Sequence, residues 1–128
     1  PRSLFVADFI GQANIIPGSV VAFDGTNVLV SVAGVKIEVR AVKNASFTPC
    51  APAALVVRPE NLMPSGEGMA GTVRTATFLG GRMEYEVILE GGGEVLSFDP
   101  FLPGKKTLSE GERIRLYFDP SVAVALEV

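Results

Sequence analysis

The sequence contains no histidine and no tryptophan, and its single cysteine is Cys50. Without histidine, the chain has no imidazole base for proton transfer and no histidine ligand for a metal ion. One cysteine excludes an internal disulfide bond. The glycine run EGGGE at 90–94 lacks the GxxxxGK[ST] pattern of a phosphate-binding loop and predicts a hairpin turn instead. We therefore expect no catalytic, metal or cofactor site in this chain.

Strong charge and long apolar runs are also missing. The net charge is −3 and the isoelectric point is about 4.9, which argues against a general binder of nucleic acid or of anionic membranes. No apolar run approaches the roughly 18 residues of a membrane-spanning helix. Hydrophobic residues nevertheless make up 48% of the 128 residues, and the mean hydropathy is +0.37. This composition suits a small domain with a well-packed core.

Apolar and polar residues alternate with a period of two in several segments. The clearest are VKIEVR at 35–40, MEYEVILE at 83–90 and ERIRLYF at 112–118. This period predicts half-buried antiparallel strands that place one face on a core. We count about nine short strands on this basis. They are separated by residues typical of tight turns, namely Asp24-Gly25, Ala33-Gly34, Gly80-Gly81, 91–93 and Asp119-Pro120.

These features predict an all-β fold made of one or more small OB-like barrels of short antiparallel strands. The 14 glycines favour a closed barrel, because closure needs residues that permit sharp bends. Residues 3–10 are the only helical prediction, so residues 1–12 are expected to be a linker or helical segment. The turn-rich loop at 44–52 separates two groups of strands. Residues 13–128 are therefore expected to form one β-rich domain or two sub-barrels that divide near this loop.

The stretch VVRPENLM at 56–63 ends an apolar strand abruptly. Proline has no N–H to donate to a sheet, and it restricts the preceding residue to extended conformations. Pro59 therefore predicts that the strand stops there, with Arg58 and Glu60 held close together on either side. We expect this charged pair to anchor the neighbouring loops. The alternative is an exposed ion pair worth less than about 1 kcal/mol.

Three motifs together resemble a known family. FVADFIGQANIIPG at 5–18, VVRPENL at 56–62 and GTVRTATFLG at 71–80 occur in the order and at the approximate spacing of one domain. The chain resembles the C-terminal accessory domain, called the transport-associated OB or TOBE domain, of ATP-binding subunits of bacterial ABC importers. The nearest branch is that of spermidine/putrescine, ferric-iron and sugar importers. The resemblance carries over these motif or interface residues: Phe9, Gly11, Asn14, Arg58, Pro59, Glu60, Phe78 and Gly80.

The resemblance implies an accessory, regulatory and dimerisation domain rather than an enzyme. ATP and magnesium would be bound by a nucleotide-binding domain that precedes residues 1–12 in the parent protein, which would be a transport ATPase. The implied partners are this nucleotide-binding domain, a second copy of the subunit and, indirectly, the membrane subunits, with no nucleic acid. The implied location is cytoplasmic, on the inner face of the cell membrane.

Two further expectations concern binding. We expect a homodimer whose contacts include the segment at 1–10 and an exposed apolar rim at 96–104, formed by Phe98, Phe101 and Leu102. The alternative function is the sensing of a small oxyanion such as molybdate, a role that the resemblance connects with related barrels. Its donors would be Asn14, Ser19, Lys43 and Ser46. Ala13 stands where those domains carry a basic residue, and an anion site favours positive charge.

Overall fold

The structure is a computed structural model, and it describes residues 12–128. The predicted helix, Phe9 and Gly11 lie outside these residues. Ten strands are present in the described part: β1 (Asn14–Phe23), β2 (Asn27–Val32), β3 (Val35–Ala41), β4 (Pro52–Val57), β5 (Met63–Ser65), β6 (Met69–Leu79), β7 (Arg82–Leu89), β8 (Glu94–Pro100), β9 (Arg113–Tyr117) and β10 (Val124–Glu127). Two single-turn 3₁₀ helices accompany them, at Pro59–Asn61 and Pro120–Val122. Neither is long enough to cross a membrane.

Five of the strands close into a barrel in the order β1-β2-β3-β10-β4. All neighbours in this barrel are antiparallel except β3 and β10. The β2–β3 hairpin turns at Ala33 and Gly34, both of which have positive φ, as a type I′ hairpin turn requires. Ile16, Val28 and Leu55 are completely buried inside the barrel. The prediction of an all-β fold with a small OB-like barrel is therefore confirmed.

The other five strands form an open sheet in the order β5-β9-β6-β7-β8, which we call the second sheet. Its longest pairing is the β6–β7 hairpin, which turns at Gly80 and Gly81. The predicted alternation holds in β7, where Tyr85, Val87 and Leu89 are buried and the residues between them are more exposed. Most buried side chains of the barrel and of the second sheet belong to one hydrophobic core, and Ala54, Val56 and Leu126 form a small separate cluster. The two parts therefore form one packed unit.

The two groups of strands divide at a different place from the one suggested by the sequence. The loop before Pro52 connects β3 to β4, and both strands belong to the barrel, because β4 pairs with β1 from Pro52 to Val57. The chain enters the second sheet only after the 3₁₀ helix Pro59–Asn61. It returns through Pro120–Val122 to add β10 between β3 and β4. Turn residues alone do not reveal this return, because β10 pairs with strands far away in the sequence.

Candidate functional site

The junction between the barrel and the second sheet contains the Arg58-Pro59-Glu60 motif. Strand β4 ends at Val57, and Pro59 is the buried first residue of the 3₁₀ helix that follows. The backbone N–H of Asn61 donates a hydrogen bond to the carbonyl of Arg58 over 3.0 Å. The turn leads into Leu62, which is completely buried. Pro59 thus directs the chain out of the barrel with a side chain that also fills space at the junction.

Arg58 and Glu60 form an ion pair with each other at this junction. The Nε atom of Arg58 lies 2.7 Å from Oε2 of Glu60, and the two side chains are 45% and 49% exposed. The hydrogen bond from Arg58 holds the pKa of Glu60 below its ordinary value of 4.5, and the charge of Arg82 adds to this effect. The pair is therefore a half-exposed contact beside the turn.

Arg82 connects the junction to the end of β8. Its guanidinium carbon lies 3.9 Å from the centre of the Phe98 ring, and its Nη2 donates to Oε2 of Glu84 over 2.6 Å. A cation above an aromatic face is attracted by the ring and shields it from water. Phe98 is only 7% exposed, so the expectation that it belongs to an exposed rim is wrong. The sequence could not show that Arg82, on the neighbouring strand, covers this ring.

Exposed apolar residues occur at the neighbouring ends of β6 and β8, and we call this region the aromatic surface. It consists of Phe78, Leu79, Phe101 and Leu102, which are between 40% and 56% exposed. The rings of Phe78 and Phe101 meet edge to face, with their centres 5.1 Å apart. The turn at Gly80, with φ of +65°, holds the end of the hairpin next to the end of β8, where the N–H of Phe101 donates to the carbonyl of Gly81. The sequence motif predicts a role for Phe78, but it predicts neither the contact of Phe78 with Phe101 nor the exposure of Leu79.

Asn14 joins the barrel to the outer edge of β8. Its Nδ2 donates to the carbonyl of Leu96 over 2.8 Å, and the N–H of Leu96 donates back to its Oδ1 over 2.8 Å. The side chain thus pairs with β8 as a backbone amide of a neighbouring strand would. Ser97 adds a second link by donating to the carbonyl of Leu62 over 2.5 Å. The partner of Asn14 lies 82 residues away in the sequence, so a local sequence pattern does not reveal this contact.

The four proposed oxyanion donors are not equally available in this fold. Both polar side-chain atoms of Asn14 are engaged by Leu96, and its side chain is buried. The N–H of Ser46 points to Oε1 of Glu127 at 3.3 Å, so a carboxylate already lies beside this donor. Lys43 and Ser19 are exposed. This environment disfavours an anion at Ser46, since two negative groups would compete for the same donor.

No cluster suited to a metal ion occurs among residues 12–128, where no three or more His, Cys, Asp or Glu side chains come together. Cys50 is an exposed free thiol at a backbone position with φ of +71°. The polar contacts of the described residues therefore serve mainly to join strands and turns. The aromatic surface, in contrast, leaves apolar area exposed, and such area is a means of binding another protein.

The fold and its surfaces define a small β-domain that joins a closed barrel to an open sheet. Residues 55–126, more than half of the chain, match the family model described as the TOBE domain. The chain belongs to this family. This match includes the junction motif, the aromatic surface and all of the returning strand β10 except Glu127.

Several curated relatives are ATP-binding proteins of importers. The chain is 41% identical over 90 residues to the Fe(3+) ions import ATP-binding protein FbpC of Rhizobium etli, an alignment that covers 68% of this chain and 24% of the relative. It is 39% identical to FbpC of Brucella suis, with 78% of this chain and 28% of the relative covered. The Spermidine/putrescine import ATP-binding protein PotA of Rubrobacter xylanophilus is 32% identical, with 93% and 33% covered. The chain thus spans about a quarter to a third of the length of these relatives.

A solved structure has a similar fold. The cytoplasmic molybdate-binding protein ModG, in a form with molybdate bound, aligns with a TM-score of 0.68 and 17% identity. The alignment covers 90% of this chain and 96% of the ModG chain. At 17% identity this similarity shows a shared fold and does not by itself indicate a shared function.

Proposed function

We propose that this chain is the accessory and dimerisation domain of the ATP-binding subunit of an ABC importer. The observation that carries the proposal is its membership of the TOBE family together with relatives named as ATP-binding import proteins. ATP and magnesium would be bound in another part of the parent subunit, which would act as a transport ATPase. Since the named relatives import either ferric iron or polyamines, the proposal extends to the importer class and not to one substrate.

The aromatic surface supports a role in contact with the rest of the parent subunit. At the ends of β8 and of the β6–β7 hairpin, Phe78 and Phe101 are exposed and in contact, and their chain neighbours Leu79 and Leu102 are exposed too, so another protein surface would remove apolar area from water there. The start of β1 is joined to the same strand β8 through Asn14. A nucleotide-binding domain that precedes β1 in the parent protein would therefore enter beside this surface. We propose that this domain covers the aromatic surface.

The proposed location follows from the same assembly. As part of an importer, the subunit would lie on the cytoplasmic face of the membrane and would contact the membrane subunits through its nucleotide-binding domain. The accessory domain would hold two such subunits together while their nucleotide-binding domains open and close. Linking two weak contacts in this way raises their effective concentration without any new chemistry.

Two measurements on the 128-residue chain test this function. We expect sedimentation equilibrium to show a homodimer at micromolar concentration, and a monomer throughout that range would contradict the dimerisation role. We also expect no ATP hydrolysis and no rise in the melting temperature with millimolar Mg-ATP, because a nucleotide bound to the folded state would stabilise it. Stabilisation by Mg-ATP would show that the chain carries a nucleotide site of its own.

Oxyanion sensing remains the alternative function. The likeness to ModG concerns the fold, and the engagement of Asn14 by Leu96 and of Ser46 by Glu127 speaks against these donors. Calorimetric titration with molybdate, tungstate and sulfate distinguishes the two functions. Saturable molybdate binding in the micromolar range would favour the sensing role. Absence of heat with all three anions is the result expected for the accessory domain.

A further inference from the structure

The outer edge of β3 is only partly paired. Strand β10 pairs with it at Arg40 and Ala41, whereas β2 pairs with it along its other edge from Val35 to Arg40. The N–H of Ala41 donates toward β2, to the carbonyl of Thr26, and the N–H of Val42 donates toward β10, to the carbonyl of Ala125. Backbone groups of alternate residues in a strand point to opposite sides. The N–H and C=O groups of Lys36 and Glu38 therefore point to the β10 side, where no strand of the described chain pairs with them.

A groove of about 440 Å³ runs beside this edge. It separates β3 from the end of β9 and from Pro120, and the partly exposed residues Val35, Ile37 and Tyr117 give it apolar walls. An open backbone edge next to an apolar groove is the arrangement that binds an added β-strand. Unpaired backbone groups on such an edge are available to pair with a strand of another chain.

The charges on β3 are complementary to those of a second β3. In an antiparallel pair centred on Ile37, Lys36 of each copy lies opposite Glu38 of the other. Both residues have outward backbone groups, so this register also forms four hydrogen bonds between the copies. Shifting the centre to Lys36 places two lysines opposite each other, and shifting it to Glu38 does the same with two glutamates. Since like charges directly opposite are destabilising, the sequence Lys36-Ile37-Glu38 selects one self-complementary register.

We propose that a second copy of this chain docks on the outer edge of β3, with Lys36 and Glu38 as the residues that determine its register. The contact is isologous, because the same edge serves both copies. The inference rests on the proposed dimerisation function and names the surface that carries it. It also gives the two exposed surfaces different partners: β3 lies beside β9 at one side of the second sheet, and the aromatic surface lies on the β8 side at the other.

Charge exchange between Lys36 and Glu38 tests the inference in the 128-residue chain. Lys36→Glu alone and Glu38→Lys alone place like charges opposite each other at two positions of the symmetric pair. We expect each to raise the dimer dissociation constant about tenfold or more. The double variant Lys36→Glu/Glu38→Lys restores opposite charges and is expected to dimerise like the wild type. An equimolar mixture of the two single variants is expected to form a heterodimer, detectable by sedimentation equilibrium as a dimer that neither variant forms alone.

Matched controls separate this contact from general effects of charge and from other surfaces. Lys106→Glu and Glu110→Lys make the same charge changes on an exposed loop outside β3, and they should leave the dimer unchanged. The variant Phe78→Ser/Leu102→Ser, which changes the aromatic surface, should also leave the dimer unchanged. Circular dichroism melting of every variant establishes that it is folded.

The outcomes distinguish failure of the inference from failure of the proposed function. A wild-type dimer that persists in both single charge variants, and that is lost in Phe78→Ser/Leu102→Ser, would overturn the β3 contact while leaving dimerisation in place. A double variant that fails to recover the dimer would also contradict the predicted register. A wild-type chain that stays monomeric in sedimentation equilibrium would contradict the dimerisation function itself.

Discussion

The barrel and the second sheet each contain a long strand in which a glycine precedes a β-bulge. In β1, Gly18 lies two residues before Val20, where the register with β2 shifts, and in β6, Gly71 lies two residues before Val73, where the register with β7 shifts. A Cβ atom on Gly18 would lie 2.7 Å from a valine methyl and 2.8 Å from a carbonyl oxygen of the next strand, and one on Gly71 would meet the same pair of groups at the same distances. Each long strand therefore bends closely over its neighbour through a glycine followed by a bulge.

The two regions differ in how their edges are satisfied. The barrel closes through β10, which comes from the far end of the chain and pairs with β3 only at Arg40 and Ala41, whereas the second sheet keeps β5 and β8 as its edges. The outer edge of β8 is partly satisfied by the side chain of Asn14 from the barrel. The second sheet thus depends on the barrel for edge hydrogen bonds and on tight local turns for its shape. Substitutions at these points should affect the two regions unequally.

The largest difference in stability loss is expected between substitutions at Gly68, in the turn before β6, and at Gly25, in the first turn of the barrel. Both have φ near +100°, but a Cβ on Gly68 would lie 2.1 Å from the carbonyl oxygen of Leu116, whereas one on Gly25 meets nothing within 4 Å. We expect Gly68→Ala to lower the free energy of unfolding by about 3 kcal/mol or more, since strain and a backbone clash add together. Gly25→Ala should cost about 1 kcal/mol from strain alone. Urea denaturation measures both, and equal losses would contradict the comparison.

The link between the two regions is tested at Asn14. Replacement of Asn14 by leucine removes both hydrogen bonds to Leu96. The partly buried N–H and C=O groups of Leu96 then lack these partners, which lowers the free energy of unfolding by about 2 kcal/mol. Asn14→Asp keeps the acceptor for the N–H of Leu96 but places a carboxylate against its carbonyl, so we expect a similar loss. Asn61→Leu is a control, because the hydrogen bond that Asn61 makes at the junction comes from its backbone.

Hydrogen exchange shows where the loss at Asn14 falls. We expect the amide of Leu96 and its neighbours in β8 to exchange faster in Asn14→Leu. The amides of β2 in the closed barrel should lose no more protection than the drop in global stability accounts for. Equal acceleration in β2 and β8 would show that the barrel and the second sheet open together. In that case the side-chain link would not control the second sheet separately.

Local patterns in the sequence predicted much of the fold, and distant pairing accounts for what they missed. The alternation in β7 and the hairpin turns depend on neighbouring residues, so they could be read directly. Proline at position 59 likewise marks the end of β4 by local sterics. The covering of Phe98 by Arg82, the bonding of Asn14 to Leu96 and the insertion of β10 depend on strands brought together only by folding. The aromatic surface was predicted only in part for the same reason.

The smallest expected effect concerns the charged pair at the junction, and it decides between the anchor and the exposed pair. Arg58–Glu60 has a counterpart in the second sheet, Arg74–Glu94, with the same 2.7 Å separation and similar exposure. Because such pairs are screened by water, we expect Arg58→Ala and Arg74→Ala each to cost only about 0.2–1 kcal/mol at neutral pH. A loss at Arg58 well above that at Arg74 would support the anchor predicted from the sequence.

The pH dependence of the Arg58→Ala effect identifies how much of it comes from Glu60. The folded-state pKa of Glu60 lies below its ordinary value of 4.5, so its contribution to stability is fully present above that value and is lost as the pH falls through the folded pKa. The difference in unfolding free energy between wild type and Arg58→Ala should therefore be constant above pH 4.5 and shrink below it. When Glu60 is replaced by Gln, which cannot ionise, the effect of Arg58→Ala on the unfolding free energy should no longer depend on pH in this range. A difference that keeps its full size in acid would mean that Arg58 stabilises the junction through contacts other than the charge of Glu60.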